Sequence, residues 1–287
     1  MLVGLDVIRR GKNSPARRRL SEARIGLLTH GAAVDEFGVS TLAVLRELDI
    51  APRIVFSPEH GLDGVAQAEE AVGVDDANVG GVRLVSLYGK DKESLTPRAE
   101  DLADLDVLLI DLVDVGSRYY TYVWTALLAV RAAAQAGVHT VIPDRPNPIG
   151  GHPDRIEGRP QDADLCSFVG LSPIPIRHSL TIAELLVSLL NQEDLPLGPD
   201  GALSVVTTQG WERHRSLIGR PFVPPSPNMP TLETALVYPG GCLLEGTNLS
   251  EGRGTTRPFQ TIGAPFLDAE EFARAIGKLP GAWVRPV

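Results

Sequence analysis

Apolar and polar positions follow two different spacings along the first half of the chain. Short, nearly continuous apolar runs are typical of strands buried on both faces, and they stand between segments with helical spacing. The predicted strands are Ile25–Thr29, Arg53–Phe56, Val82–Val85, Asp106–Leu112 and Val138–Ile142. The predicted helices are Ser40–Leu48 and an alanine-rich segment, Tyr119–Ala136, which Gly137 would terminate. This alternation predicts an α/β fold with a parallel, doubly wound sheet.

The second half of the chain has a different pattern. Prolines surround Gly150-Gly151 and mark a turn-rich exit from the first half. A capping-box pattern predicts a helix over Thr181–Asn191, and a strand is predicted over Leu203–Thr207 within long segments rich in proline and glycine. We therefore predict two domains, an α/β domain over residues 1–150 and a smaller α+β domain over residues 151–287.

Composition and charge narrow the possible partners. The 287 residues are 43% hydrophobic and 22% charged, which is the balance of a folded globular protein. The net charge of −9 argues against a nucleic-acid partner, because phosphate binding depends on clustered lysine and arginine. The basic run Arg9–Arg19 contains glycine, asparagine, serine and proline, and we interpret it as a solvated, loop-like connection, with an anion site as the alternative.

The sequence also bears on location. It has no apolar stretch near the ~20 residues that span a bilayer, so no membrane partner is expected. Asp6 interrupts the apolar run that a signal peptide would need. We expect a cytoplasmic protein, or a secreted one if a leader has been removed. Cys166 and Cys242 are isolated in the sequence, which argues against a disulfide scaffold or a structural zinc site.

Charged side chains follow three of the predicted strands. They are Glu59-His60, Asp111 with Asp114, and Asp144-Arg145. Because the carboxyl ends of parallel strands meet at one edge of a sheet, we expect these groups to converge, and gathered carboxylates can divide acid and base roles. Two of them also fit structural roles: Asp144, close to Asn147, as the cap of a turn or helix, and Asp111 as a buried hydrogen-bonded acid.

Segments in the rest of the chain supply candidates for ligand binding. The glycine-rich stretch 241–254 brings carboxylates, an amide and an arginine together, and its candidates are Glu245, Asn248, Glu251 and Arg253. The proline-rich segment 224–230 must run extended, and it would either hold Asn228 in a pocket or brace a domain edge. Tyr119 and the aromatic residues after it suit either a sugar ring or a helix core.

Familiar cofactor and nucleophile motifs are absent from the sequence. It has no Walker A loop, no GxGxxG after the first strand, no GxSxG elbow and no HExxH. His30, His60 and His178 could join nearby acids as metal ligands, but their spacing supports no metal site. We therefore expect neither a cofactor nor a metal.

The candidate segments resemble a known family, the exo-β-N-acetylmuramidases. The resemblance covers nearly the whole chain and rests on FSPEHG (Phe56–Gly61), DLVDVGSRYYTY (Asp111–Tyr122), DRPNPIGG (Asp144–Gly151), SFVGLSPIPIRH (Ser167–His178), PPSPNMPT (Pro224–Thr231) and EGTNLSEGRGTTRPF (Glu245–Phe259). It implies a Rossmann-like domain that binds no dinucleotide and a second domain across a cleft. Family members continue well beyond the position of Val287, so the resemblance also implies a shortened second domain.

The implied activity is that of a glycoside hydrolase. It releases terminal N-acetylmuramic acid (MurNAc) from the non-reducing end of peptidoglycan fragments such as muropeptides or MurNAc-GlcNAc, where GlcNAc is N-acetylglucosamine. Glu59 matches the family's candidate catalytic glutamate and would act as general acid, tuned by His60. The second group stays open between Asp114, Glu245, Glu251 and the substrate's own acetamido group. The candidates for substrate binding are Asp111, Arg118, Tyr119, Asp144, Arg145, Asn147, His178, Asn228, Glu245, Asn248 and Arg253.

Among these candidates, Arg118 or Arg253 would suit the lactyl carboxylate of MurNAc through a bidentate contact. Two other functions stay compatible with the residues. One is a metal-assisted phosphoester or amide hydrolase that uses Asp111, Asp114 and His60. The other is a sugar-binding protein without turnover.

Overall fold

One sheet organises the molecule in the computed structural model, which describes residues 1–64, 77–89, 93–214 and 220–287. Its strands are β1 (Ile25–Thr29), β2 (Ile54–Ser57), β3 (Ala77–Val79), β4 (Val82–Ser86), β5 (Val107–Asp111), β6 (His139–Pro143) and β7 (Leu203–Val206). Their order across the sheet is β3-β4-β2-β1-β5-β6-β7, with β3 antiparallel to β4 and all other neighbours parallel. The six parallel strands follow the doubly wound order of Rossmann-like sheets. The predicted α/β fold is confirmed.

Helices lie on both faces of this sheet. The helices of the described residues are α1 (Gly4–Arg10), α2 (Pro15–Glu22), α3 (Thr41–Glu47), α4 (Ala99–Leu102), α5 (Tyr122–Gln135), α6 (Ile182–Leu190), α7 (Leu232–Gly241) and α8 (Ala269–Ile276). Of these, α1 to α3 lie on one face and α5 and α6 on the other. The capping box predicted for α6 is present, since Thr181 and Glu184 exchange side-chain and backbone hydrogen bonds. None of the helices formed by the described residues is long and apolar enough to cross a membrane.

The interpretation of Arg9–Arg19 as a solvated connection is wrong. This run contains the end of α1 and the first residues of α2. The side chain of Ser14 accepts a hydrogen bond from the Arg17 N–H, and Pro15 occupies the first helical turn. Serine followed by proline is a common helix start, so the residues that suggested a loop instead begin a helix.

Alternating side chains of the central strands build a core on each face of the sheet. Leu27, Val55 and Leu109 point to the face covered by the first three helices. Phe56 and Leu108 point to the opposite face, where they pack in the larger cluster that includes buried side chains of α5 and α6. Burial on both faces explains why these strands are almost continuously apolar.

The edge strand β7 comes from the second half of the chain. Its residues pair in parallel with β6, from Thr140 opposite Leu203 to Pro143 opposite Val206. The sheet therefore draws on residues from both sides of position 150. The division of the chain into domains at that position stays a prediction.

Candidate active site

The strand ends converge as their parallel pairing requires. Thr29 at the end of β1 lies opposite Asp111 at the end of β5, and β2 and β6 end at the same edge of the sheet. The segments after β2, β5 and β6 begin at Pro58, Leu112 and Asp144. The charged groups predicted at these three ends have different surroundings, and among them only Glu59 and His60, after β2, line the cavity described below.

Asp111 forms a buried ion pair. Its side chain is fully buried, and both carboxylate oxygens accept hydrogen bonds from Arg145, at 2.5 Å from Nε and 2.8 Å from Nη2. Oδ2 also accepts a hydrogen bond from the Thr41 hydroxyl at 2.6 Å, and Arg145 donates to the Val34 carbonyl. These contacts join the ends of β5 and β6 and leave Asp111 enclosed by protein.

Asp144 also serves a local structure. It is buried, and Oδ1 accepts a hydrogen bond from the Ala183 N–H in the first turn of α6 at 3.2 Å. Burial raises the pKa of Asp144 to about 6, although hydrogen bonds from Thr181 and from the backbone oppose that shift. Asn147 lies nearby in the chain and donates to the Leu180 carbonyl, so this segment fixes the start of α6.

Glu59 and His60 lie in a tight turn after β2. The Gly61 N–H donates to the Pro58 carbonyl at 3.1 Å, and His60 adopts a left-handed backbone conformation with φ of 71°. Such a conformation is uncommon outside glycine and is often found at functional sites. The turn is held from α5, because Thr121 donates to Glu59 Oε2 at 2.6 Å and the Tyr122 hydroxyl lies 3.1 Å from the Glu59 carbonyl.

This turn forms one wall of a cavity of about 210 Å³. Glu59 is 7% exposed and lines the cavity together with His60. The charged side chains on other walls are Glu245 and Arg253. The remaining lining residues are aromatic, apolar or small and polar: Tyr88, Tyr119, Tyr120, Thr121, Phe168, Val169, Ser226, Asn228, Met229, Tyr238, Cys242 and Phe259.

The glycine-rich stretch 241–254 supplies the other charged side chains of the cavity wall. Arg253 Nη2 donates to Glu245 Oε1 at 2.7 Å, and Arg253 Nε lies 3.1 Å from Glu251 Oε1. The guanidinium carbon also stands 5.0 Å from the centre of the Phe259 ring. Arg253 is therefore held between two carboxylates, of which Glu245 lines the cavity and Glu251 does not.

Four other predicted residues take positions outside the cavity lining. Asp114 and His178 are both buried, with Asp114 Oδ2 3.3 Å from His178 Nε2, and Asp114 also accepts a hydrogen bond from the Gly116 N–H. Arg118 donates to the carbonyls of Ile174 and Arg159. Asn248 is exposed on the glycine-rich stretch. The buried members of this group connect the loop after β5 to the segment that precedes α6.

Sequence reasoning missed several aromatic members of the lining. Tyr88, Phe168, Tyr238 and Phe259 were not proposed, and they come from four separate segments. Tyr238 and Phe259 stack edge to face, with ring centres 4.8 Å apart. Phe168 and Phe259 lie in segments that carry the family resemblance, but an aromatic residue in such a segment fits an ordinary core contact as well as a cavity wall.

The side chain of Cys242 also lines the cavity and was not proposed. Burial raises the pKa of its thiol to about 12, so the thiol is protonated at neutral pH. A thiolate is the form of cysteine that acts as a nucleophile. We therefore assign Cys242 a packing role in the wall.

The histidines considered as metal ligands have other partners. Burial lowers the pKa of His30 to about 3, and its Nε2 accepts a hydrogen bond from the Val113 N–H at 3.0 Å. His178 contacts Asp114, while His60 lies in the turn beside Glu59. Among the described residues, His, Cys, Asp and Glu side chains form no group of three or more that could hold a metal ion.

Comparisons with known proteins agree with the architecture. A curated relative, the peptidoglycan β-N-acetylmuramidase NamZ of Bacillus subtilis (strain 168), is 44% identical over 274 residues, which cover 94% of this chain and 64% of the relative. This chain thus spans slightly less than two thirds of that protein's length.

Two crystal structures of DUF1343 family proteins from Bacteroides fragilis NCTC 9343 share the fold. The first has a TM-score of 0.82 and 32% identity, over 96% of this chain and 68% of its own. The second has a TM-score of 0.74 and 30% identity, over 92% of this chain and 67% of its own. Each alignment covers more than nine tenths of this chain.

Family models cover almost all of the sequence. Residues 25–233 match the model described as exo-β-N-acetylmuramidase NamZ, N-terminal, and residues 236–287 match the C-terminal model of the same family. The N-terminal match alone includes the sheet, the turn at Glu59 and the helices α3 to α6. The chain therefore belongs to the exo-β-N-acetylmuramidase NamZ family.

Proposed function

We propose that this chain carries the catalytic centre of an exo-β-N-acetylmuramidase, which releases MurNAc from the non-reducing end of peptidoglycan fragments. The observation that carries the proposal is the position of Glu59, a buried carboxyl group in the wall of a cavity that six tyrosine and phenylalanine side chains also line. The family membership and the activity named for the Bacillus subtilis relative support the same reaction.

The chemistry requires a proton donor beside the glycosidic oxygen. In the proposed step, protonated Glu59 gives its proton to that oxygen, the bond from the oxygen to the anomeric carbon breaks, and the leaving sugar departs as an alcohol. Water then adds to the anomeric carbon and returns one proton to the carboxylate. His60 lines the cavity directly beside Glu59 and would contact the same substrate.

A second carboxylate would balance the positive charge that develops on the sugar. Glu245 is our candidate, because it lines the same cavity as Glu59, whereas Asp114 and Glu251 lie outside the lining. The ion pair with Arg253 holds Glu245 in place. An attack by the substrate's own acetamido group would leave Glu245 with an orienting role instead.

The cavity walls suit a carbohydrate. Tyr88, Tyr119 and Phe168 can pack against the apolar face of a sugar ring. Arg253 is the arginine present among the described lining residues, and a guanidinium suits the lactyl carboxylate that distinguishes MurNAc from GlcNAc. We therefore assign the lactyl contact to Arg253 rather than to Arg118, whose side chain donates to backbone carbonyls.

The test is the variant Glu59→Gln, measured with a chromogenic MurNAc glycoside. Loss of the proton donor should lower kcat about 10²- to 10⁴-fold, while KM changes little and the free energy of unfolding is nearly preserved. The matched control is Glu270→Gln, which removes an exposed carboxylate from α8 and should leave kcat unchanged.

Two outcomes would contradict the proposal. A Glu59→Gln protein that releases MurNAc at the wild-type rate would remove Glu59 from the chemistry. Wild-type protein that binds MurNAc but shows no turnover would instead favour a sugar-binding protein.

A further inference from the structure

The threonine directly before α5 makes an unusual hydrogen bond. Thr121 occupies the position before Tyr122, where a threonine side chain commonly accepts a hydrogen bond from a backbone N–H of the first turn. Here the side chain makes no such capping bond. The Thr121 hydroxyl instead donates to Glu59 Oε2 at 2.6 Å, although the two residues are 62 positions apart.

The neighbouring residue holds the same turn by its backbone. The Tyr122 hydroxyl lies 3.1 Å from the Glu59 carbonyl and 2.9 Å from the Pro225 carbonyl, so it bridges two walls of the cavity. Its ring is also 6.5 Å from that of His60. Successive residues of α5 therefore hold both the carboxylate and the main chain of Glu59.

We propose that Thr121 is a positioning residue for the Glu59 carboxylate, an inference that rests on the proposed function. A hydroxyl can donate to an ionised carboxylate and accept from a protonated one, so the contact survives both charge states of an acid–base cycle. The branched Cβ of threonine restricts the rotation of its side chain, which fixes the direction of the contact. Thr121 is 8% exposed, so water competes little for this bond.

A purely structural role explains the contact less well. The hydroxyl satisfies no backbone donor of α5, because the backbone of Thr121 is already helical, with φ of −71° and ψ of −13°, whereas a capping residue is extended. The N-terminus of this 14-residue helix also carries a partial positive charge that favours an anion nearby. The arrangement directs one side chain and one helix end toward the candidate catalytic carboxylate.

The test compares two variants of this residue. Thr121→Val keeps the shape and removes the hydroxyl, whereas Thr121→Ser keeps the hydroxyl. We expect kcat to fall about 10- to 100-fold in Thr121→Val with KM nearly unchanged, because a hydrogen bond to a charged group is lost. Thr121→Ser should recover most of the rate. The control is Thr125→Val, which removes a buried hydroxyl one turn later that donates to the Thr121 carbonyl.

A second readout separates this inference from the proposed function. The side-chain carboxyl carbon of Glu59, labelled with ¹³C and assigned by its absence in Glu59→Gln, can be followed by NMR at neutral pH. Its chemical shift should move in Thr121→Val but not in Thr125→Val, since the carboxyl group loses the hydroxyl that contacts Oε2. That difference in a protein without turnover would support the positioning role and refute the muramidase activity. Wild-type kcat and an unchanged Glu59 resonance in a folded Thr121→Val protein would overturn the inference.

Discussion

Two carboxylates follow parallel strands at one edge of the sheet, yet their surroundings differ. Asp111 at the end of β5 is fully buried. It accepts hydrogen bonds from two guanidinium nitrogens of Arg145 and from the Thr41 hydroxyl. Glu59 lies two residues beyond β2, accepts a hydrogen bond from the Thr121 hydroxyl and lines a cavity.

The difference shows what a strand-end acid needs before it can act on a ligand. Asp111 has a cation in bidentate contact, and protein encloses it, so its charge stabilises the junction of two strands. Glu59 lies beyond the strand, in a turn in which His60 adopts a left-handed backbone conformation, and its side chain lines the cavity. Asp111 and Glu59 share a position at the edge of the sheet, so the role of each acid depends on its hydrogen-bond partners and on the space accessible to it.

The largest predicted effect on stability comes from breaking the buried ion pair between Asp111 and Arg145. Asp111→Asn places an amide group against the donors of Arg145 and Thr41 and leaves a buried guanidinium without its counter-charge. We expect the free energy of unfolding to fall by about 3–5 kcal/mol, as urea denaturation would measure. Glu59→Gln should leave this quantity nearly unchanged.

An exposed ion pair at the opposite end of β5 provides the control. Asp106 precedes β5 and makes a bidentate contact with Arg24, at 2.9 Å from Nε and 2.7 Å from Nη2, with both side chains about half exposed. Asp106→Asn should change stability far less, because solvent screens exposed ion pairs. Equal losses for Asp106→Asn and Asp111→Asn would show that burial does not distinguish the two ends of the strand.

A smaller effect is predicted for the cavity, where it concerns the affinity for a sugar. Arg253→Met removes the arginine assigned to the lactyl carboxylate. We expect the Kd for MurNAc to rise about 10- to 100-fold while the Kd for GlcNAc, which lacks the lactyl group, is nearly preserved. Isothermal titration calorimetry with the two free sugars would measure both values.

The control for this variant lies in the same stretch of chain. Arg257 is exposed and does not line the cavity, so Arg257→Met should leave both dissociation constants unchanged. If Arg253→Met weakened MurNAc and GlcNAc equally, Arg253 would serve the shape of the pocket, through Glu245 and Phe259, rather than recognition of the carboxylate.

Much of the fold could be predicted because it depends on local patterns. β1 was predicted with the bounds that it has, and α6 has its predicted capping box, since apolar runs and caps depend on neighbouring residues. The convergence of the strand ends also followed, because parallel pairing fixes which ends meet. The helix start at Ser14-Pro15 was available from the same kind of pattern but was misread as a loop.

The partners of the candidate residues could not be predicted in the same way. Asp111 and Arg145 are 34 positions apart, and nothing in either segment indicates that they bind each other. Thr121 has the sequence context of an ordinary helix cap, and only the fold brings Glu59 within reach of its hydroxyl. The cavity likewise depends on side chains such as Tyr238 that are adjacent in space and distant in sequence.

The smallest predicted effect concerns the third strand-end acid. Burial raises the pKa of Asp144 to about 6 in the folded protein, with Glu184 adding to the shift, so the unfolded chain loses this proton first as pH rises. The contribution of Asp144 to stability is therefore greatest below about pH 4 and falls by about 1–3 kcal/mol between pH 4 and pH 6. Asp144→Asn cannot ionise, and its side-chain oxygen can still accept from the Ala183 N–H.

The wild type should thus lose stability between pH 4 and pH 7 as Asp144 ionises, whereas Asp144→Asn lacks this loss. The free energy of unfolding of Asp144→Asn should therefore rise relative to that of the wild type by the same amount. Urea denaturation at both pH values would measure this change, and Glu270→Gln, an exposed acid on α8, would report the background effect of removing one negative charge. A constant difference between Asp144→Asn and the wild type would mean that burial does not hold the proton on Asp144. The three strand-end acids would then differ in their partners alone, and the accessible space around each would lose its part in the comparison.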